Sequence, residues 1–382
     1  MIPGLAPRKR ILFAYAGGRR ARLRDIESGH ERPTEFLFGY TQLARQYDVE
    51  AVEGDPGAAA GASWRDRLLN HLAARLVGLG INTPAYLAHL PRLSACDALV
   101  AIPDSVALAF ARLKHQRRIP PVPLVYVAMG LASRLQRRPW GYRRWRAFYG
   151  DLIGACDAVV ALGRGEHEFL CELFPRHADR IHFIPFGVDT AYWRPSSDTT
   201  RDGTYLFVGN DPNRDFEMVR SLVRRRRDLR FRVVSSNSRL LLMRAPNAEV
   251  FAGDWRAQPL TDDQMRAFYR RSHAVIVPLR ESLQPSGQSV ALQALACGTP
   301  VVISRTTGFW DPEHWRHGEH VYFVDGGGVA AWSEALDAMG DTDSLRGRLA
   351  EGGRRLVEQR YGVGGFADAL AAVIERITGP AA

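Results

Sequence analysis

A chain of 382 residues that is 46% hydrophobic and 24% charged is long enough for two globular cores and too apolar to be disordered. Its 51 basic against 41 acidic residues give a formal charge of +10, which favours anionic partners: nucleotide phosphates, acidic headgroups or nucleic acid. The cysteines Cys96, Cys156, Cys171 and Cys297 are scattered without a C-x-x-C, which argues against a zinc or disulfide framework and for a reducing, cytoplasmic home.

The N-terminus is basic and then apolar like a leader peptide, but its apolar run is short and ends in arginines, so "KRILFAYA" reads as a first buried strand that stops at Gly17-Gly18. After it come a helical "EFLFGYTQLARQY", the strand "DVEAVEG", the helix "WRDRLLNHLAARLVGLG", the strand "DALVAIP", the helix "SVALAFARLKHQ" and the strand "PLVYVAMG". A basic aromatic stretch, the helix "RAFYGDLIGAC" and the strand "DAVVAL" complete this half. Apolar strands with no polar alternate face, separated by helices, imply a parallel sheet covered on both sides. A Pro- and Gly-rich linker over 185–204 follows, and the rhythm restarts. Its strands are "TYLFVGN", "FRVVSS", "AEVFAG", "AVIVPL", "PVVIS" and "VYFVD", with the helices "DFEMVRSLVRRRR", "SRLLLMRA", "TDDQMRAFYRRS" and "SVALQALAC" between them. The final "GVGGFADALAAVIERI" is an amphipathic helix with no strand after it. The expected architecture is α/β with two doubly wound Rossmann-like domains, 1–187 and 188–360, and a C-terminal helix over 361–382 packing back on the first. No apolar run approaches the roughly 18 residues that span a bilayer, so the chain reads as soluble or peripheral.

Ligands of open parallel sheets bind outside the carboxyl ends of the strands, where Gly-rich turns lead into helix N-termini, which predicts a site shared by the two carboxyl edges. In "QPSGQSVALQALACGTPVVIS" the helix is expected to begin within Ser286–Ser289, with a serine cap and an apolar face from Val290, Leu292, Leu295 and Ala296. Its first N–H groups and dipole would then meet a pyrophosphate, with Gly287 permitting close approach and Ser286, Gln288 and Ser289 adding donors.

Three stretches, "IPFGVDTAYWRP", "YLFVGNDPNRDFEMVRSL" and "VPLRESLQPSGQSVALQALACGTPVV", resemble in order and spacing the retaining GT-B glycosyltransferases of the family-4 type. That family carries P-S-x-x-E-x-x-G-x-x-x-x-E-A-x-A-C-G-x-P-V in its second domain. The resemblance implies a nucleotide-sugar, UDP- or GDP-linked, whose diphosphate is held by the loop 209–216, including Gly209, and by the helix start at Ser286–Ser289. The family's Arg after that glycine is here Asn210, and Arg214 stands near its Lys, where a guanidinium can fork onto phosphate oxygens. The family glutamate that holds the ribose falls on Gln293. The one that contacts the sugar falls on Pro285, and an insertion of about three residues makes Glu281 the nearest acid, beside Arg280. Where members end the fourth strand with a His, this chain has Ala128 and Met129. Gly17 and Gly18 stand where the family backbone approaches donor or acceptor, with Arg19 and Arg20 beside them.

The resemblance implies sugar transfer to a hydroxyl of a glycan or lipid-linked acceptor, with retention, no metal, no cofactor beyond the nucleotide-sugar, and no nucleic acid. The altered glutamates and missing His leave a second reading open, a weakened homologue acting as a binding scaffold. The close trio His314, His317 and His320 straddles a turn and is not expected to form a metal site. The segment 134–149 interleaves arginines with Trp140, Tyr142, Trp145, Phe148 and Tyr149, a composition that suits an anionic membrane surface at the inner face of the cytoplasmic membrane.

Overall fold

The computed structural model describes residues 8–54, 63–253, 259–326, 328–341 and 343–379, so the first seven residues of the leader-like start lie outside it. Among the described residues, twelve strands form two all-parallel six-stranded sheets. The first comprises β1 (Arg10–Tyr15), β2 (Asp48–Glu53), β3 (Ala98–Ile102), β4 (Leu124–Ala128), β5 (Ala158–Ala161) and β6 (Ile181–Phe183), in the order β2-β1-β3-β4-β5-β6. The second comprises β7 (Thr204–Val208), β8 (Arg230–Ser235), β9 (Ala248–Ala252), β10 (Ala274–Val277), β11 (Val301–Ser304) and β12 (Tyr322–Val324), in the order β12-β11-β10-β7-β8-β9. The chain divides into two compact units: residues up to Glu31 with Phe36–Pro185 and the stretch from Gly364, and Arg32–Glu35 with Phe186–Val363.

β3, β4, β5 and β10 are buried along their whole length, because helices cover both faces and every side chain enters a core. In the first unit the helix Asp104–His115 is almost wholly interior, with Phe110 packed on Tyr86. The C-terminal helix Val363–Thr378 joins this unit through Phe366, which meets Phe38 edge-on, and through Glu375, which accepts from Lys9 and from the Tyr47 hydroxyl. The second core gathers Tyr205, Phe207, Val219, Leu222, Phe231 and Ile276 around Trp332 and Leu336.

One sequence expectation is corrected. The segment "EFLFGYTQLARQY" is not one helix: it gives a 3-10 turn at Glu35–Leu37 and one helical turn at Tyr40–Leu43. The break falls at Phe38 and Gly39, both with positive φ (50° and 83°), and a Cβ on Gly39 would stand 3.2 Å from the Ala367 Cβ, so the close approach of the C-terminal helix selects glycine there. Of the aromatics in 134–149, Tyr149 is buried and Tyr142, Trp145 and Phe148 pack against the first core, leaving Trp140 exposed. On the helix Tyr142–Ala155, Trp145 stacks on Tyr149 one turn later (ring centres 6.0 Å apart) and Phe148 meets Tyr149 edge-on (5.4 Å), so the three rings pack as one group.

Beneath the end of β4 lie two buried acids. Asp104 accepts from the Tyr126 hydroxyl and from Met129 N (3.0 Å). Glu166 is fully buried on the helix Arg164–Leu173, and among the described residues neither of its carboxyl oxygens has a partner in hydrogen-bonding geometry. The amides of Gly130 and Ala132 lie near enough to favour its charge, but burial, reinforced by the negative charge of Asp104, pushes its pKa up to about 8. The folded chain therefore keeps a proton that the unfolded chain gives up near pH 4.5, so the stability Glu166 lends is complete below that pH and is lost as pH rises through 8. Thermal melts should show stability falling by about 2 kcal/mol or more between pH 5 and pH 9, and Glu166→Gln should flatten much of that fall. A variant with the parent's slope would contradict the assignment.

Candidate functional site

The second sheet changes winding direction between β7 and β10, and ligands of open α/β sheets bind outside the strand ends at such a switch point. Two loops leave here, 209–215 after β7 and 278–287 after β10, and their backbones zip together. Arg280 N donates to Asn213 O (2.8 Å) and Asp215 N to Pro278 O (2.9 Å), placing Arg214 opposite Leu279 in an antiparallel bridge. Asn213 Nδ2 donates to Ser286 Oγ (2.9 Å) and Gln284 Oε1 (3.1 Å), which fixes the approach to the helix Gln288–Ala296.

This framework lays the Arg214 side chain across two glycines. A Cβ on Gly209 would lie 2.6 Å from its Nε, and one on Gly287 would lie 2.8 Å from its Nη1. Gly287 is the helix cap, with φ 82°, and no described side chain caps the N-terminus. The expected serine cap is thus corrected: the left-handed backbone needed at that position suits glycine, and Ser286 is engaged by Asn213 instead. Ser286 and Gln288 are buried and Ser289 is half-buried.

Arg214 is 3% exposed. Its Nε stands 2.7 Å from Asp211 Oδ2 as an ion pair out of line for a hydrogen bond, and its Nη1 has no hydrogen-bond partner among the described residues. A buried cation with an unpartnered donor thus sits at the positive end of a helix dipole. Two positive sources meet, offset among the described residues by the half-exposed Asp211, and an added anion would satisfy both.

The other expected residues are placed differently. Asn210 Oδ1 accepts from Ser236 N (2.6 Å) and Ser235 Oγ (3.2 Å), and its amide donates to Gly253 O, so it braces the loops after β7 and β8. Arg280 is exposed. Glu281 is exposed and accepts from Thr307 N (3.0 Å) and the Thr307 hydroxyl, which ties it to the loop after β11. That loop presses close: a Cβ on Gly308 would meet Ser282 O at 2.3 Å.

Gln293 is 6% exposed and faces inward. Its Nε2 donates to Glu35 Oε1 (2.8 Å), its Oε1 accepts from the Tyr269 hydroxyl (3.0 Å), and Trp193 Nε1 donates to the same Glu35 oxygen (2.8 Å). Glu35 arrives on the segment Arg32–Glu35, held by Thr34, which donates its N–H (3.2 Å) and hydroxyl (2.8 Å) to Asp189 Oδ2. Burial pushes the Glu35 carboxyl up to about 7, opposed by the Gln293 and Trp193 bonds, and its second oxygen is buried without a partner among the described residues. The carboxylate that the helix lacks at 293 therefore stands beside that position, supplied from 35. Neither Glu35 nor Glu166 carried a local motif that marks it.

In the first unit Gly17 (φ 126°) and Gly18 (φ 82°) form the turn into the helix Arg19–Glu27. Glu53 Oε1 accepts from the amides of Arg19 and Arg20, so the chain's own carboxylate occupies that helix start. Each histidine of the trio has its own contact: His314 pairs with Asp311 (2.9 Å), while His317 Nδ1 and His320 Nδ1 accept from Phe323 N and Arg316 N (both 3.1 Å). The described ligand atoms that do gather, within 4.8 Å, are those of Asp311, Glu313 and His314, and Asp311 also accepts from the Tyr361 hydroxyl (2.8 Å).

Comparison with known proteins follows the two-unit division. Residues 40–192 match the family model described as Glycosyltransferase Family 4, and residues 204–341 the model described as Glycosyl transferases group 1. A D-inositol 3-phosphate glycosyltransferase from Acidothermus cellulolyticus is 31% identical over 228 residues, covering 53% of this chain and 49% of its own. The chain thus spans about half the length of the curated relatives it matches. Among solved structures, sucrose-phosphate synthase from Thermosynechococcus elongatus superposes with a TM-score of 0.69 at 14% identity over 97% of this chain and 99% of that one. HepE from Anabaena, solved with UDP-glucose, gives 0.64 at 14% identity over 96% and 99%. With both halves matched in chain order and two parallel six-stranded sheets of the corresponding fold, the chain belongs to the GT-B group 1 glycosyltransferases of the family-4 type.

Proposed function

We propose that the chain transfers a sugar from a UDP- or GDP-linked donor to a hydroxyl of a glycan or lipid-linked acceptor, retaining the anomeric configuration. The observation that carries this reading is the Arg214 guanidinium, buried and with a free Nη1, against the uncapped start of the helix Gln288–Ala296. Donor diphosphate is the anion that fits a fork-shaped donor set beside a helix dipole. As the bond from the anomeric carbon to the diphosphate oxygen breaks, its electron pair stays on that oxygen, and the fixed positive charge stabilises it without reorganisation. The acceptor oxygen then bonds to the anomeric carbon on the same face and passes its proton to the departing diphosphate oxygen. Retention is taken from the family.

The charge requirement is met by Arg214 and the helix, so the reading calls for no divalent ion. Nucleotide-sugars assayed for slow hydrolysis, with UDP-glucose heading the panel, should reveal one donor cleaved well above background, at a rate EDTA leaves unchanged. No cleavage across the panel, or full loss in EDTA, would contradict the reading. A second reading, a homologue that binds nucleotide without transferring, is favoured by the neutral Gln293 and by the engagement of Glu281 with Thr307. A nucleotide that raises the melting temperature with no donor consumed would select it.

A further inference from the structure

The helix Trp64–Leu76 exposes what most helices in this fold bury. Trp64 is 67% exposed, Leu68 48% and Leu72 38%, and at 100° per residue these i, i+4, i+8 positions form one outward stripe. Six large apolar side chains are exposed among the described residues, the others being Trp140, Leu241 and Leu242, so half of them lie on this single helix. Concentration on one face separates this stripe from the singly scattered apolar residues of an ordinary surface.

The charge on the helix is sorted as sharply. Its one acid, Asp66, is buried on the inward face, where Arg112 (2.8 Å) and Arg118 (3.4 Å) pair with it, and Ala73 is buried on the same side. The exposed charged residues on the helix are Arg65, Arg67 and Arg75, all positive, and the Arg65 guanidinium lies 5.6 Å from the centre of the Trp64 ring. Directly beyond the helix, Gly78 O accepts from Arg134 Nε (2.7 Å), which anchors the basic segment 134–149 to its end. In that segment Tyr149 is buried and Tyr142, Trp145 and Phe148 are half-buried against the core, so Trp140 is its one exposed ring, whereas the Trp64–Leu76 helix carries a continuous exposed stripe.

We propose that this helix lies on an anionic lipid surface, its stripe of Trp64, Leu68 and Leu72 entering the headgroup boundary and its arginines meeting lipid phosphates. An apolar stripe whose exposed charged neighbours on the helix are arginines complements a surface that is apolar beneath and negative above. A second copy of the chain would bring arginine against arginine. No described helix is long and apolar enough to cross a membrane, so the association is peripheral, and three side chains make it reversible.

Flotation with phosphatidylcholine vesicles, with and without phosphatidylglycerol, tests the proposal on the full chain. The parent should float with the phosphatidylglycerol vesicles only, and release as salt rises from about 0.1 M to about 1 M. The variant Trp64→Ser/Leu68→Ser/Leu72→Ser should lose about tenfold or more of that partitioning, and Arg65→Gln/Arg75→Gln should lose binding on the anionic vesicles. Both sets change exposed side chains, so melting temperature and donor hydrolysis should stay at parent values, which also keeps this test separate from the donor-site reading. Undiminished flotation of the triple-serine variant would overturn the proposal. So would a parent that ignores vesicles but self-associates in sedimentation through the same three residues.

Discussion

Arg214→Met should give a protein that melts higher than its parent without ligand and handles donor at least about 10²-fold less efficiently. The stability gain follows from burial: Nη1 has no partner and the Nε contact with Asp211 is poorly aligned, so an apolar chain of similar length removes a desolvation cost of about 1–3 kcal/mol. In a domain of this size that is about 2–4 °C per kcal/mol. The activity loss follows from the same charge, because leaving-group oxygens would meet the helix dipole alone. Arg214→Lys should recover part of the activity, since an ammonium supplies the charge without the fork. A group that costs stability at a strand-end switch point is held there by function. Parent-level kcat/KM in the methionine variant would remove Arg214 from the site.

Restoring the family's acid should harm this chain. Gln293→Glu would put a second carboxylate against Glu35, where the amide now donates at 2.8 Å, in a pocket already raising Glu35 to about 7. Two acids at that distance cannot both ionise, and the loss should reach about 3 kcal/mol at neutral pH. The sign is fixed by the raised carboxyl: a shared proton keeps the pair tolerable at low pH, and the deficit widens as pH rises through 7. Glu35→Gln placed in the same chain should recover much of it, because the amide introduced at 35 can donate to the carboxylate introduced at 293 and the charge has only moved across the pair. A double-mutant cycle should return a coupling of about 1–3 kcal/mol. A single Gln293→Glu variant that melts at or above the parent would show that Glu35 and Gln293 do not depend on each other.

Buried parallel strands are legible because each is a short continuous apolar run, so "DALVAIP", "PLVYVAMG" and "AVIVPL" locate β3, β4 and β10 almost to the residue. The helix Arg19–Glu27 escaped because "RRARLRDIE" buries only Leu23 and shows no stripe to count. "WRDRLLNHLAARL" reads correctly as a helix, but periodicity identifies its faces without saying which one is covered, and the structure covers the side of Asp66 and Ala73 rather than that of Trp64 and Leu68. At the site, family spacing brought Arg214 and Gly287 together on paper. It could not show that Arg214 Nη1 lacks a partner, which is a property of every neighbour at once. Glu35 was out of reach for a simpler reason: it meets Gln293 across 258 positions of sequence.

Whether the start of the helix Gln288–Ala296 and Arg214 together hold a nucleotide diphosphate is decided by a crystal structure with UDP or GDP bound. The β-phosphate should lie about 2.7–2.9 Å from Arg214 Nη1, against the backbone of residues 287–289. A nucleotide bound with its phosphates away from Arg214, or an Arg214 that keeps its ion pair with Asp211 and contacts no phosphate, would refute that shared grip.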